Sequence, residues 1–284
     1  MPAINLIGRT ALLAGLAVLL QTTACAADWS DTYLGYRYGT HFGEPFESNN
    51  ISKNIFNLNH VSGYKYGTNF FNVDILMANS KDPVAPGSSD GSQEVYIVYR
   101  HTLDLGKVSG ANLAVGPFRG FGLTAGFDAN TKDDSGYNSR KRMLVMGPTA
   151  MFDVTGFLNM SVLAFWESNA PYNKFSNTAT PRYRYKTHPA LDVDWGLPFN
   201  VGVPLSFNGY MVWIASKGRN EFGGPTAPET HFDGEVMYTV DSDKHFKVGL
   251  EYEYWRNKFG NPHDGPAGSG AFAKTPMVRG EYHF

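Results

Sequence analysis

The last ten residues, Thr275 to Phe284, alternate without a break. Val278, Gly280, Tyr282 and Phe284 fall on one face, and Met277, Arg279, Glu281 and His283 on the other. The first face is greasy or small. The second carries charges that would each cost about 2 to 4 kcal/mol at a bilayer midplane. A terminal strand of this kind fits a sheet with lipid on one side and a polar interior on the other, and much less well the edge of a soluble sandwich. The predicted fold is therefore all-β, a transmembrane antiparallel β-barrel.

The opposite end agrees. Arg9 provides a positive start, 11–20 form an apolar run too short to cross a bilayer, and Ala24-Cys25-Ala26 places small residues at a cleavage site. Residues 1–26 read as a secretory signal peptide and 27–284 as one barrel domain; a lipoprotein reading through Cys25 is disfavoured by Thr22. Cys25 is the only cysteine, so the mature chain carries no disulfide or thiol chemistry. A net charge of −2 offers no basic face for nucleic acid, and no Cys and His cluster has zinc spacing.

Period-two alternation between Gly, Pro, Asn and Asp punctuation predicts about twelve strands, at 29–38, 54–62, 69–77, 94–103, 113–127, 140–153, 158–167, 183–195, 205–216, 231–240, 246–256 and 275–284. The connections alternate in length. Those at 39–53, 79–93, 129–139, 168–182, 217–230 and 257–273 are long and polar, and those at 63–68, 104–112, 154–157, 196–204 and 241–245 are shorter. Outer-membrane barrels have short periplasmic turns, long extracellular loops and periplasmic termini, so this pattern also sets the expected orientation. Tyr36, Tyr38, Trp195 and Trp255 are candidates for the aromatic girdles, and Pro117 with its neighbouring glycines marks an irregular strand.

The lumen is expected to carry Arg37, Asp74, Glu94, Arg100, Arg184, Lys186, Asp192, Asp194, Asp233, Glu235, Glu251, Glu253, Arg279 and Glu281, with Tyr33, Asn57, Asn59, Tyr96 and Tyr210. From these, Tyr33, Arg37, Asp74, Glu94, Tyr96, Arg100, Arg184, Asp194, Tyr210, Glu235, Glu251 and Arg279 are the candidate solute-contacting residues. Aromatic faces and mixed charge suit a small neutral or zwitterionic polar solute, unless the charges satisfy one another as a plug.

The Asp28-Trp29 start, the stretches Gly120-Phe-Gly-Leu-Thr-Ala-Gly-Phe-Asp128 and Pro148-Thr-Ala-Met-Phe-Asp153, the strand number and the terminal Phe284 together resemble the nucleoside-specific channel-forming (Tsx-like) outer-membrane proteins. The resemblance is one of architecture. It implies passive, selective diffusion of nucleosides or similar solutes across a Gram-negative-type outer membrane, without cofactor or energy coupling. The implied partners are outer-membrane lipid, the solute, and the barrel-assembly machinery acting on the C-terminal strand.

Two other readings stay open. His60-Val61-Ser62 has the His-x-Ser spacing of outer-membrane lipid hydrolases, although Gly63 stands where those enzymes carry Asn. A structural or receptor barrel would act instead through loops such as 79–93, where Asp82 and Asp90 could hold calcium.

Overall fold

A computed structural model describes residues 27–83, 91–174 and 176–284; the predicted signal peptide and Asp90 lie outside them. Twelve long strands close into one antiparallel barrel. They are β1 (Trp29–Glu44), β2 (Glu47–Tyr64), β3 (Gly67–Ala78), β4 (Gln93–Asp104), β5 (Phe118–Asp133), β6 (Arg142–Phe152), β7 (Phe157–Asn169), β8 (His188–Asn200), β9 (Pro204–Ile214), β10 (Glu229–Thr239), β11 (Phe246–Arg256) and β12 (Phe272–His283). A short helix, α1 (Leu105–Ser109), sits between β4 and β5 and is capped by the Asp104 side chain. Closure is made by β1 on β12, in register from Tyr33 opposite His283 to Gly39 opposite Met277. No strand edge is left open within the ring, which is the condition for a sheet to stand in hydrocarbon.

The molecule is apolar outside and polar inside. Leu34, Phe56, Leu144, Val162, Val248, Leu250 and Val278 project outward and are exposed, whereas Asn57, Asp128, Glu251, Glu253, Thr275 and Glu281 project inward and are buried. A soluble protein of this size would invert that arrangement, so the outer surface is a lipid-facing one. Tyr36 and Tyr38 lie outside, as expected of a girdle. Trp195 is also outward but nearly buried, because the rings of Phe207 and Phe232 lie against it. Gly209 makes room for that stack: at φ 150°, a Cβ there would stand 2.2 Å from the Asp233 carbonyl oxygen and 3.0 Å from Trp195.

Four stretches depart from the sequence expectation. The first long connection, 39–53, is strand on both sides of a two-residue turn at Pro45 and Phe46, with Phe46 at φ 69°. Register shifts between Gly39, Phe42 and Glu44 break the alternation there, which is why the stretch reads as loop. The link after β4 extends over 105–117, and the irregularity near Pro117 is a bulge between Phe118 and Gly120. The strand expected from 183 begins at His188; only Tyr183 and Arg184 pair earlier, with β7. Trp255 lies inside the lumen, stacked on His231, rather than in a girdle.

At the C-terminus, Phe284 donates its backbone N–H to the Thr32 carbonyl at 3.0 Å and sets its ring edge-on to Tyr282, with the side chain outward. Phe284→Asp is therefore expected to lower the amount of heat-modifiable barrel in the outer membrane, since it puts a carboxylate on the lipid face of the closing strand. Normal levels of heat-modifiable protein would refute the role of the terminal aromatic.

Candidate functional site: the lumen

The midsection is built around two arginines from the closing strands. Arg37 on β1 donates to Glu251 at 2.5 Å and to Asp74 at 2.6 Å, and lies 3.7 Å from Asp233. Arg279 on β12 donates to Glu251 and lies equally close to Glu235, both at 2.8 Å, and also reaches Glu281 at 2.7 Å and the Tyr33 hydroxyl at 2.8 Å. Glu281 passes the network to His283 at 3.0 Å, and His283 to Asp31 at 2.8 Å near the mouth where β1 begins and β12 ends. The alternation places these groups on one face of each strand; the planar guanidinium forks then tie the four neighbouring strands β10, β11, β12 and β1 together and reach past β2 to β3.

The facing wall is different. Arg100 on β4 forms a forked pair with Asp128 on β5 and touches the Phe127 carbonyl. Asp194 accepts from Asn159 at 2.8 Å, and Asp192 stands two residues away on the same face of β8. Hydroxyls from four strands form a chain through Thr102, Thr124, Thr149 and Ser161, with spacings of 2.8, 2.5 and 2.8 Å. Above it, Val145, Leu163, Phe165 and Ala190 form an inward apolar patch. In this midsection the guanidiniums of Arg37, Arg100 and Arg279 are outnumbered by the carboxylates of Asp74, Asp128, Asp192, Asp194, Asp233, Glu235, Glu251, Glu253 and Glu281. The interior is therefore strongly acidic, although the whole chain carries only −2.

Both ends have distinct forms. At the mouth where β1 begins and β12 ends, a cavity of about 700 Å³ is lined by Asp31, Asn200, Ser206, Lys247 and His283. At the opposite mouth the buried ion clusters are built on lysines. Glu44 is shared by Lys53 at 2.6 Å, Lys258 at 3.0 Å and Lys132 at 3.6 Å, and Lys132 also binds Asp82 at 3.1 Å. Glu167 binds Lys217 at 2.8 Å. The segment after β11 folds across this mouth: Lys258 donates to the Gly43 carbonyl at 2.9 Å, and Phe259 lies 3.5 Å beneath the Lys141 ammonium, carried by the β5–β6 connection on the far side. Burial, reinforced by nearby Lys217, pushes the Lys141 ammonium down to about 8.

The structure places Tyr33, Arg37, Asp74, Glu94, Tyr96, Arg100, Asp194, Tyr210, Glu235, Glu251 and Arg279 on inward faces. Arg184 is a correction: it is exposed in the connection between β7 and β8, as is Lys186, because the barrel strand starts only at His188. Glu94 belongs to the lysine-rich mouth, where it accepts from Asn130 at 2.6 Å, and not to the midsection. Sequence reasoning misses Asp128, the hydroxyl chain and the lysine cluster. Asp128 is legible as the acidic residue opposite an arginine-bearing strand, but Glu44 and Lys53 are hidden in a stretch that reads as loop. Asp82 is engaged with Ser92 and Lys132, so its carboxylate is committed to the mouth's ion cluster. His60 points outward with its Nδ1 2.7 Å from the Thr32 hydroxyl, and Ser62 is buried beside Gly63, on which Trp29 packs.

No family model and no curated protein matches this chain. Among solved structures it is similar to the translocator domain of the autotransporter NalP from Neisseria meningitidis, at 11% identity over 98% of this chain and 97% of that one, with a TM-score of 0.47. It is also similar to the KdgM porin, at 10% identity, 89% and 99% coverage and TM-score 0.43, and to the NanC porin, at 12% identity, 89% and 99% coverage and TM-score 0.44.

Proposed function

We propose that this barrel is an outer-membrane channel for passive diffusion of small polar solutes, with nucleosides as the solute class. The observation that carries the reading is the state of Tyr210. Its ring stands in the interior between Asp194 and Asp233 yet is 37% exposed, whereas Glu251 below it and Glu253 beside it are buried. An aromatic face left open among carboxylates offers a planar base a stacking partner and its ribose hydroxyls acceptors, worth roughly 1 to 3 kcal/mol for the stacked ring. The family resemblance of the sequence points the same way. The excess of carboxylates makes small cations the favoured ions and disfavours anionic solutes such as nucleotides.

The test is planar-bilayer conductance under a salt gradient. The reversal potential should report cation selectivity, and adenosine or uridine should block the current in a concentration-dependent manner. Tyr210→Ala should weaken that block several-fold while the barrel stays heat-modifiable. Anion selectivity, or block that Tyr210→Ala leaves intact, would overturn the reading.

A further inference from the structure

Strands β10 and β11 set carboxylates directly opposite one another twice: Asp233 faces Glu253, and Glu235 faces Glu251. Like charges at directly opposed positions repel, so each rung needs a cation. Arg37 and Arg279 serve Glu251 and Glu235, and both are already shared with Asp74 and Glu281. The Asp233–Glu253 rung has only distant cations, and the Asp233 carboxyl also lies within hydrogen-bond reach of Glu251. Asp233 meets Arg37 only at 3.7 Å, and Glu253 has its Oε2 3.5 Å from His231 Nε2. Glu253 Oε1 is completely buried and has no hydrogen-bond partner, in a residue only 7% exposed. A buried carboxylate oxygen without a donor is costly, and a carboxylate that also stands beside an imidazole is what a cation would use.

His231, Asp233 and Glu253 each offer one ligand atom, and these atoms lie within 4.8 Å of one another. The His231 ring is held flat on Trp255, with centroids 3.9 Å apart and planes 6° apart, and the Tyr210 hydroxyl is 3.3 and 3.4 Å from its two nitrogens. The ring is thus oriented by stacking, with a neighbouring hydroxyl available to accept from whichever nitrogen does not coordinate.

We propose that His231, Asp233 and Glu253 form a binding site for a divalent first-row transition cation inside the lumen. A dication neutralises the opposed carboxylates and gives Glu253 Oε1 its partner. The imidazole nitrogen selects a borderline cation such as Zn²⁺ over Mg²⁺ or Ca²⁺, and three protein ligands leave a coordination position for water or solute. A second trio, Asp241, Asp243 and His245, lies in an exposed turn where Asp241 accepts from the backbone N–H groups of His245 and Phe246. That trio is satisfied locally and serves as the control.

The inference rests on the channel reading only in needing the lumen to be reached by ions, and its readout is independent of conductance. The purified full-length barrel in detergent is titrated with zinc chloride, binding being followed by tryptophan emission and by calorimetry. Saturable binding that shifts the emission is expected, the shift disappearing in Trp255→Phe. Affinity should fall roughly tenfold or more in His231→Ala and in the near-isosteric Glu253→Gln, and stay unchanged in His245→Ala. Magnesium should produce no change. Absence of saturable zinc binding to the heat-modifiable wild-type barrel, or affinity equal to wild type in heat-modifiable Glu253→Gln, overturns the site. A barrel that binds zinc but passes no current would refute only the channel.

Discussion

Arg279→Leu is expected to cost about 3 to 5 kcal/mol of barrel stability, the range for removing one partner from a buried ion network. Arg279 compensates carboxylates from three strands, Glu235 on β10, Glu251 on β11 and Glu281 on β12, and also donates to Tyr33 on β1. Without it, Glu235 keeps the Asn208 amide, at 3.2 Å, and no arginine, while Glu251 keeps Arg37. Arg279→Lys is not a rescue, because one ammonium cannot present the fork that reaches three carboxylates and a phenol at once. The double variant Arg279→Leu, Glu235→Gln should recover part of the loss by removing one of the stranded charges. The measurement is urea unfolding in lipid vesicles, read as the fraction of heat-modifiable protein. A change below about 0.5 kcal/mol in Arg279→Leu, the size of an ordinary surface substitution, would mean that the lumen is wet enough to solvate these carboxylates and that the network is not structural.

The alternation is legible in the amino-acid sequence alone. In β11 the outward set Phe246, Val248, Leu250, Tyr252 and Tyr254 and the inward set Lys247, Gly249, Glu251 and Glu253 separate as the pleat requires. Period two is a local property, and lipid on one side leaves little tolerance for error. Strand ends are less legible because they depend on contacts remote in sequence. Gly39 is accommodated against Met277 and Thr275 of β12, so glycine there signals close strand packing rather than a loop. Tyr183 to Tyr185 alternate like a strand, but Tyr185 is engaged by Glu221 from another connection at 2.5 Å. Trp255 is a girdle residue by type and a lumen residue by parity, and parity wins. The lysine mouth cannot be read from any single segment, since Glu44 and Lys53, Asp82, Lys132 and Lys258 come from four separate stretches.

That mouth leads to the second large effect. Lys258→Ser combined with Phe259→Ala is expected to raise single-channel conductance several-fold by releasing the segment that crosses the lumen. Two features make the segment releasable without unfolding the barrel. Glu44 keeps Lys53 at 2.6 Å and Lys132 at 3.6 Å when Lys258 is removed, so its carboxylate is not stranded. Asn257 and Phe259 are held at φ 54° and 60°, a left-handed backbone that is uncommon for a large aromatic and persists only where the surroundings over-determine it. The determinants that cross the lumen are the Lys258 contacts with Gly43 and Glu44 and the packing of Phe259 on Lys141. With both lost, the backbone preference itself drives the segment out of that conformation. The expected result is higher conductance together with faster proteolytic cleavage within 257–271, and unchanged heat-modifiability. Wild-type conductance from the double variant would mean that the narrowest point of the path lies lower, at the ring of Arg37, Asp74 and Glu251, where only variants of the arginine network would widen it.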